Sequence, residues 1–522
     1  MTKMTMSSRQ RWTLLLVCTA AFMLLLDATI VGVALPSIQR DLQASLADLQ
    51  WVTSAYALAL AVLLLPAATV GDRLGRRRLF LVGLVIFTLG SLACALATTA
   101  VTLEVFRTLQ GVGGAVLFAT ATPLLRAEFS GASLARALGA FGATLGAASA
   151  LGPLAGGILT DTLGWRSIFF VNLPIGVAAF VVGAARLRES RNPAGGRADW
   201  AGTALITVAL TALMFGLIQG NTLGWGGPLI VGLFATATVF LAAFAIYELR
   251  VAAAPMADLR LFRRRSFAAT GIVAFAISAT VIGTIPYLSL YLQNTLGYSP
   301  VQGGLRLLPM FLASFTVAFL TGRLIGRVPM RILLGVAMAA ASLGLFLMAN
   351  LTATSGWLVL LPGLILAGIG LGITSTSLAS ASLAGVEPAR AGMAAGLTNT
   401  LRQVGTATGV AVFGALYASR VAAVTLHGIP GPSGVAHRLA AAVASGAGTK
   451  VASAVPPHLR EAVTHAAQTG TASGLNEILL VAAAFALVGT VAAFAFGRDP
   501  SKLPPSLPNI GELSAQTVPV RR

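Results

Sequence analysis

A chain of 522 residues that is 56% hydrophobic and only 10% charged lacks the polar surface of a soluble globular protein, in which about a quarter of the residues carry charge. Its net charge of +19 does not mark a nucleic-acid partner, because the basic residues sit in polar joints between apolar runs of about 20 residues, the length that crosses a bilayer core. The fold class expected is all-α integral membrane, with about fourteen transmembrane helices in contact with the lipid bilayer.

In chain order, residues 1–12 form a short N-terminal segment, and the first span is predicted near Thr13–Leu35. A secretory signal fits this run badly, because Asp27 interrupts it and no small-residue cleavage site follows. Further spans are predicted near Leu49–Gly71, Leu79–Thr98, Val101–Leu125, Ala137–Leu159, Ser167–Ala185, Ala201–Gln219 and Pro228–Tyr247. The second group comprises Ala268–Tyr291, Gly303–Gly322, Ile332–Asn350, Trp357–Ala379, Gly396–Tyr417 and Asn476–Phe496. With the N-terminus inside, 26 of the 35 Lys and Arg residues fall in inner segments and six in outer ones. This asymmetry is the positive-inside signature and puts both termini in the cytoplasm of a plasma-membrane protein. Ser419–Leu475 reads as an outer loop with amphipathic stretches at His437–Val443 and His458–Ala467. It holds all four histidines (His427, His437, His458, His465) without ligand-like spacing, so no metal or cofactor is expected. Cys18 and Cys94 read as packing residues, and the Pro- and Ser-rich tail Gly497–Arg522 as disordered.

The chain repeats itself weakly. Leu109-Gln110-Gly111-Val112-Gly113 in the fourth span returns as Leu366-Ala367-Gly368-Ile369-Gly370 in the twelfth. Gly152 and Gly157 of the fifth span meet Gly409 and Gly414 of the thirteenth, and Leu42 and Ser45 match Leu296 and Ser299. The order of these matches pairs spans one to six with spans nine to fourteen. The expected organisation is thus two six-helix pseudo-repeats, 13–185 and 268–496, plus two inserted helices, 201–247. Parallel halves of this kind build alternating access around a midplane site.

Several local motifs are specific. Leu26-Asp27-Ala28-Thr29-Ile30-Val31-Gly32-Val33-Ala34-Leu35-Pro36 resembles the first-span signature of the fourteen-span drug:proton antiporters of the major facilitator superfamily, which usually carries Asn where Gly32 stands. Gly71-Asp72-Arg73-Leu74-Gly75-Arg76-Arg77-Arg78 resembles the superfamily's loop between spans two and three, and Arg107-Thr108-Leu109-Gln110-Gly111 its fourth-span Arg motif. Gly142, Gly146 and Leu151-Gly152-Pro153-Leu154-Ala155-Gly156-Gly157 resemble the fifth-span motif associated with exporters. Trp165 to Gly176 and Asn399-Thr400-Leu401-Arg402-Gln403-Val404-Gly405 extend the resemblance, which covers Leu14 to Phe496.

The same residues have a physical reading. An ionised carboxylate halfway along a span is costly and rare without purpose, so Asp27 is the candidate proton carrier and Arg107 its partner. Glu104, three residues before Arg107, offers a merely structural pair. In the loop after span two, Asp72 is expected at a helix N-terminus, while Arg76 or Arg77 latches to Glu128; the plainer role of Arg73, Arg76 and Arg77 is to anchor topology. Gly142, Gly146, Gly152, Gly156 and Gly157 let helices approach closely, and Pro153 loosens the backbone ladder. Arg306 and Arg402 are expected near the outer ends of their spans, where a long side chain can snorkel.

No nucleophile–base pair, metal-ligand set or phosphate loop occurs, so neither enzyme chemistry nor direct ATP coupling is expected. The resemblance implies a monomeric proton-coupled exporter of small hydrophobic drugs; proton-coupled uptake or metabolite transport on the same fold is the alternative. With Asp27 as the one carboxylate near the middle of a span, the expected exchange is one proton for a neutral, zwitterionic or monocationic substrate.

Overall fold

The computed structural model describes residues 6–191, 199–252, 255–384, 386, 391–429, 433–444 and 455–496, and the tail expected to be disordered, Gly497–Arg522, lies outside them. Fourteen helices are long and apolar enough to cross a membrane, and no β-strand occurs among the described residues. They are α1 Ser8–Leu42, α2 Leu46–Leu74, α3 Arg76–Ala95, α4 Ala100–Glu128, α5 Gly131–Leu163, α6 Ser167–Arg186 and α7 Trp200–Leu223. Then come α8 Pro228–Val251, α9 Arg265–Thr295, α10 Pro300–Thr321, α11 Met330–Met348, α12 Trp357–Leu383, α13 Ala391–Gly428 and α14 Pro457–Phe496. The end of the bundle at which α1 begins is called proximal below, and the opposite end distal.

Local chemistry sets the helix ends. Ser45 caps α2 by accepting from the Asp48 amide, and Asp48 returns the bond to the Ser45 amide. Ser299 does the same for α10 with Gln302, which satisfies amide donors that a helix start leaves orphaned. Side chains such as Leu89, Val105, Val181, Leu343 and Val488 are exposed, forming the apolar exterior that a lipid-facing helix requires.

The glycines of the internal repeat make corresponding contacts. A Cβ at Gly111 would run into the carbonyl of Tyr56 on α2, and one at Gly368 into the carbonyl of Met310 on α10. Gly113 lies against Phe87 of α3, and Gly370 against Ala337 of α11. Thus the fourth helix of each set of six nests on the second and third. Gly152 abuts Thr29 of α1 and Gly409 abuts Ala279 of α9, each the first helix of its own set. Gly157 abuts Pro300 and Val301 of α10, and Gly414 abuts Gln50 of α2, each the second helix of the other set. Such close backbone approach is how helices associate where lipid removes the hydrophobic drive.

The sets therefore meet along α2–α13 and α5–α10. α7 packs on both α2 and α13, through Leu210 and Met214 against Leu58, Val62, Ala407 and Ala411, and α8 packs mainly on α7.

One expectation fails. The segment 419–475 is not a loop throughout: α13 runs on to Gly428 and α14 already begins at Pro457, with a short helix at Ser433–Ala442 between them. Gly470 and Gly474 of α14 pack on Val421 and Tyr417 of α13, so the helix pair continues past its apolar part. Polar residues there lower the hydropathy without breaking the helix, since Ala, Gln, Glu and Arg are good helix formers. Among the described residues no group of three potential metal ligands forms.

Candidate functional site: a buried carboxylate network between α1, α3, α4 and α6

Asp27 is 1% exposed and Arg107 likewise 1%. One carboxylate oxygen, Oδ2, accepts a 2.6 Å charge-assisted bond from Arg107 Nη1. The other, Oδ1, accepts from Gln110 Nε2 at 2.8 Å and from Asn172 Nδ2 at 3.3 Å. Arg107 in turn donates from Nη1 to Gln110 Oε1 at 2.6 Å and from Nε to the Val52 carbonyl at 3.1 Å. Its guanidinium lies over the Tyr56 ring, 4.3 Å from the centroid, a cation–π contact. Ser91 Oγ accepts from both Gln110, at 2.6 Å, and Asn172, at 3.2 Å. A buried ion pair offsets its desolvation only with further hydrogen bonds to both groups, and here α2, α4 and α6 supply them, with Ser91 of α3 behind Gln110 and Asn172.

The structure thus brings Asp27 and Arg107 together and leaves Glu104 out: Glu104 Oε1 is buried without a hydrogen-bond partner, because the Arg107 side chain turns to α1 instead. Three members of the network, Gln110, Ser91 and Asn172, were not singled out from the sequence. Two of them stand inside quoted motifs, and a neutral polar residue next to a charge is the signal that could have found them.

At the proximal end, Asp72 pairs with Arg76 one turn on, at 2.8 Å, rather than with a helix N-terminus. That position belongs to Glu189, which accepts from the backbone amides of Arg77 at 3.1 Å and Arg78 at 3.2 Å and so caps α3. Gly75 sits at φ +118° with Glu189 against it, a backbone conformation and a close approach that favour glycine. Arg77 donates to the Ala184 carbonyl, and Arg73 is exposed. Neither Arg76 nor Arg77 is in contact with Glu128 in this conformation: the Glu128 backbone carbonyl receives Gln10 at 2.9 Å.

Along α5, contacts fall off from the distal to the proximal end. Gly152 and Gly156 press on Thr29 and Ile30 of α1, Gly157 presses on α10, and a Cβ at Gly304 of α10 would run into the Pro153 carbonyl. Gly146 meets only the Phe315 ring, and Gly142 has nothing within 4 Å. Distal polar contacts also tie the sets together: Gln293 Nε2 to the Val33 carbonyl at 2.8 Å, Asn294 to Gln39 at 3.0 Å and Gln50 to Tyr287 at 3.1 Å. The α5–α10 seam is closed distally and opens proximally.

Arg306 lies over the Tyr298 ring, 3.5 Å from its centroid, at the distal start of α10 as expected. Arg402 is misplaced by the sequence reading. α13 runs from the proximal end, and Arg402 lies eleven residues into it, roughly 16 Å along the axis, well short of the distal end.

A multi-span helical bundle with a buried carboxylate–arginine pair inside one half and a seam open at one end is the architecture of a membrane transporter. The sequence profile described as Major Facilitator Superfamily matches residues 17–410, and the chain belongs to that family. It is 39% identical over 417 residues to the tetracenomycin C resistance and export protein of Streptomyces glaucescens, covering 78% of this chain and 76% of that protein. It is 38% identical over 419 residues to the multidrug resistance protein Stp of Mycobacterium tuberculosis (strain ATCC 25618 / H37Rv), covering 80% and 78%. With the puromycin resistance protein pur8 of Streptomyces alboniger the identity is 35% over 479 residues, covering 89% and 94%. Among solved structures, a bacterial homolog to the human lysosomal transporter Spinster, in an inward-facing and occupied conformation, superposes with a TM-score of 0.67 at 15% identity, covering 96% of this chain and 100% of that one. At that identity the likeness concerns the fold.

Proposed function

We propose that this chain exports small hydrophobic antibiotic-like molecules in exchange for protons, by alternating access between the six-helix bundles 13–185 and 268–496, with the inserted pair 201–247 at their periphery. The proximal end, at which α1 begins and α14 ends, is taken as the cytoplasmic one, and on that reading the proximally open seam is that of an inward-facing state. Relatives named for antibiotic resistance and export support the direction of transport. The observation that carries the coupling is the Asp27 network, the one carboxylate–arginine pair fully buried inside a half among the described residues.

In this state Asp27 is ionised, with both oxygens occupied. Protonation removes its charge from Arg107, which keeps the Gln110 Oε1 and Val52 carbonyl acceptors, but the new O–H faces only the donors Arg107, Gln110 and Asn172, so the network must loosen around the neutral form. What changes is the grip of α4 on α1. Two and three residues further along α1, Thr29 and Ile30 lie against Gly152 and Gly156 of α5, and Gly157 lies against α10 of the other half. The proton state of Asp27 therefore reaches the seam between the halves through two tight helix contacts. In the opposite state the proximal seam closes, bringing Arg76 or Arg77 to Glu128 as a latch, and the Gly142–Gly146 face of α5 meets the other half.

Proteoliposome export of tetracenomycin C and puromycin under an imposed pH gradient tests the reading. The wild type is expected to export at least one of them. Asp27→Asn is expected to insert and fold, because a neutral amide is cheaper in the membrane than a carboxylate, yet to lose the gradient-driven component. Full gradient-driven export by Asp27→Asn would remove Asp27 from the mechanism.

A further inference from the structure

Between Gly396 and Ala411, α13 touches α2, α7 and α9. Gly396 and Thr400 touch α2, at Leu65 and the Ala61 carbonyl. Val404, Ala407 and Ala411 pack toward α7, while Gly405 and Gly409 lie on α9. At 100° per residue, Asn399, Arg402, Gln403 and Thr406 fall in the remaining arc between the α9 and α2 faces, with Arg402 at its α9 edge, opposite α7, and Gln403 at its α2 edge. By the internal repeat, Asn399 and Gln403 correspond to Gly142 and Gly146, which face the open part of the α5–α10 seam.

Two side chains of this stripe are unspent. Arg402 is half-buried, with its Nε buried and without a hydrogen-bond acceptor, and no carboxylate among the described residues lies against the guanidinium. Gln403 likewise has no side-chain partner among the described residues, whereas Asn399 and Thr406 bond to their own helix. Arg107 is neutralised by Asp27 and Arg306 is covered by Tyr298, which leaves Arg402 as an uncompensated cation deep in α13. An intramembrane cation without a counter-charge is expensive, and its partner is to be sought in what the transporter carries.

We propose that Arg402, with Gln403 beside it, docks an acidic group (a carboxylate, phenolate or sulfonate) of the exported molecule. This rests on the export reading above and names its substrate class. The planar guanidinium gives two parallel donors to such a group, and the Gln403 amide supplies a third. It replaces the expectation of neutral to monocationic substrates: Asp27, occupied by Arg107, Gln110 and Asn172, has no oxygen left for a cationic ligand, while Arg402 Nε is buried without an acceptor.

The test is equilibrium binding to the full-length protein in nanodiscs, using anthraquinone-2-carboxylate and its neutral carboxamide, which share one ring system. The wild type is expected to bind the carboxylate about ten-fold or more tightly than the carboxamide, the scale of a charge-assisted contact. Arg402→Gln is expected to abolish that preference with carboxamide affinity retained, and Arg402→Lys to keep part of it. Gln403→Leu should weaken carboxylate binding alone. Equal affinities in the wild type, no carboxylate binding, or an equal loss for both probes in folded Arg402→Gln would overturn the anion site. Proton-driven export of tetracenomycin C by the wild type is scored separately, so failure of the anion site is distinguishable from failure of the export reading.

Discussion

Gln110 holds the carboxylate network together, since its amide nitrogen reaches Asp27 and Ser91 while its oxygen takes an Arg107 donor. Gln110→Leu would leave an ionised pair short of hydrogen bonds in a dry interior, at a cost of about 1–3 kcal/mol per stranded group. The expected outcome is a lowered thermal unfolding midpoint in detergent, with a smaller loss in an Asp27→Asn background. A cycle with no such coupling would show that Gln110 acts by packing alone. Asn172→Ala is expected to cost less, because its bonds to Asp27 and Ser91 are longer, 3.3 and 3.2 Å. Asp27 and Arg107 were legible in the sequence because a charge stands out in an apolar run. Their three neutral partners were not, since Ser, Asn and Gln in a Gly- and Ala-rich helix carry no comparable contrast. Arg402 was read as a snorkelling residue because its depth depends on which end its helix enters from. Its lack of a partner could be known only once the side chains of α2, α7 and α9 were in place.

Spacing between glycines was the most informative pattern at the level of the helices. Matched at a fixed offset, they marked the contacts that α4 and α12, and α5 and α13, make with equivalent neighbours. Helix ends were less legible, because hydropathy reports the apolar slab rather than the helix. The continuation of α13 to Gly428 and the start of α14 at Pro457 are helical but polar, and they escaped for that reason. The glycines of α5 should differ in what they tolerate. Gly156→Ala places a methyl group 2.8 Å from Ile30 Cγ1 and 3.0 Å from the Ile30 carbonyl, and such overpacking costs about 1–3 kcal/mol. It is expected to lower the unfolding midpoint. Gly142→Leu meets open space in the present conformation and is expected to leave stability unchanged while slowing export, because in the proposed cycle that face closes in the opposite state. Unaltered turnover by Gly142→Leu would show that the proximal part of α5 stays apart throughout the cycle.

For the whole molecule, the proposed proton carrier and the proposed substrate anchor belong to different halves, Asp27 in the first and Arg402 in the second, and together they would set the charge moved per cycle. On the proposed mechanism, one carboxylate carries one proton inward per turnover. If the exported molecule bears one negative charge, the inward proton and the outward anion shift charge in the same sense, two charges in all. An inside-negative potential favours both movements. Each charge is worth about 2.3 kcal/mol per 100 mV, or roughly fifty-fold in the gradient attainable at equilibrium. Exchange of one proton for a monocation would instead be electroneutral, and for a neutral molecule would move a single charge. The measurement is accumulation of anthraquinone-2-carboxylate and its carboxamide into vesicles whose lumen faces the extracytoplasmic side, at fixed pH difference, while a potassium diffusion potential makes the lumen positive. The logarithm of the carboxylate gradient is expected to rise twice as steeply with potential as that of the carboxamide. Equal slopes would mean that the acid travels protonated, so that Arg402 meets no charge. A carboxylate gradient indifferent to potential would mean that no net charge crosses at all, and the one-proton exchange would then have to be abandoned.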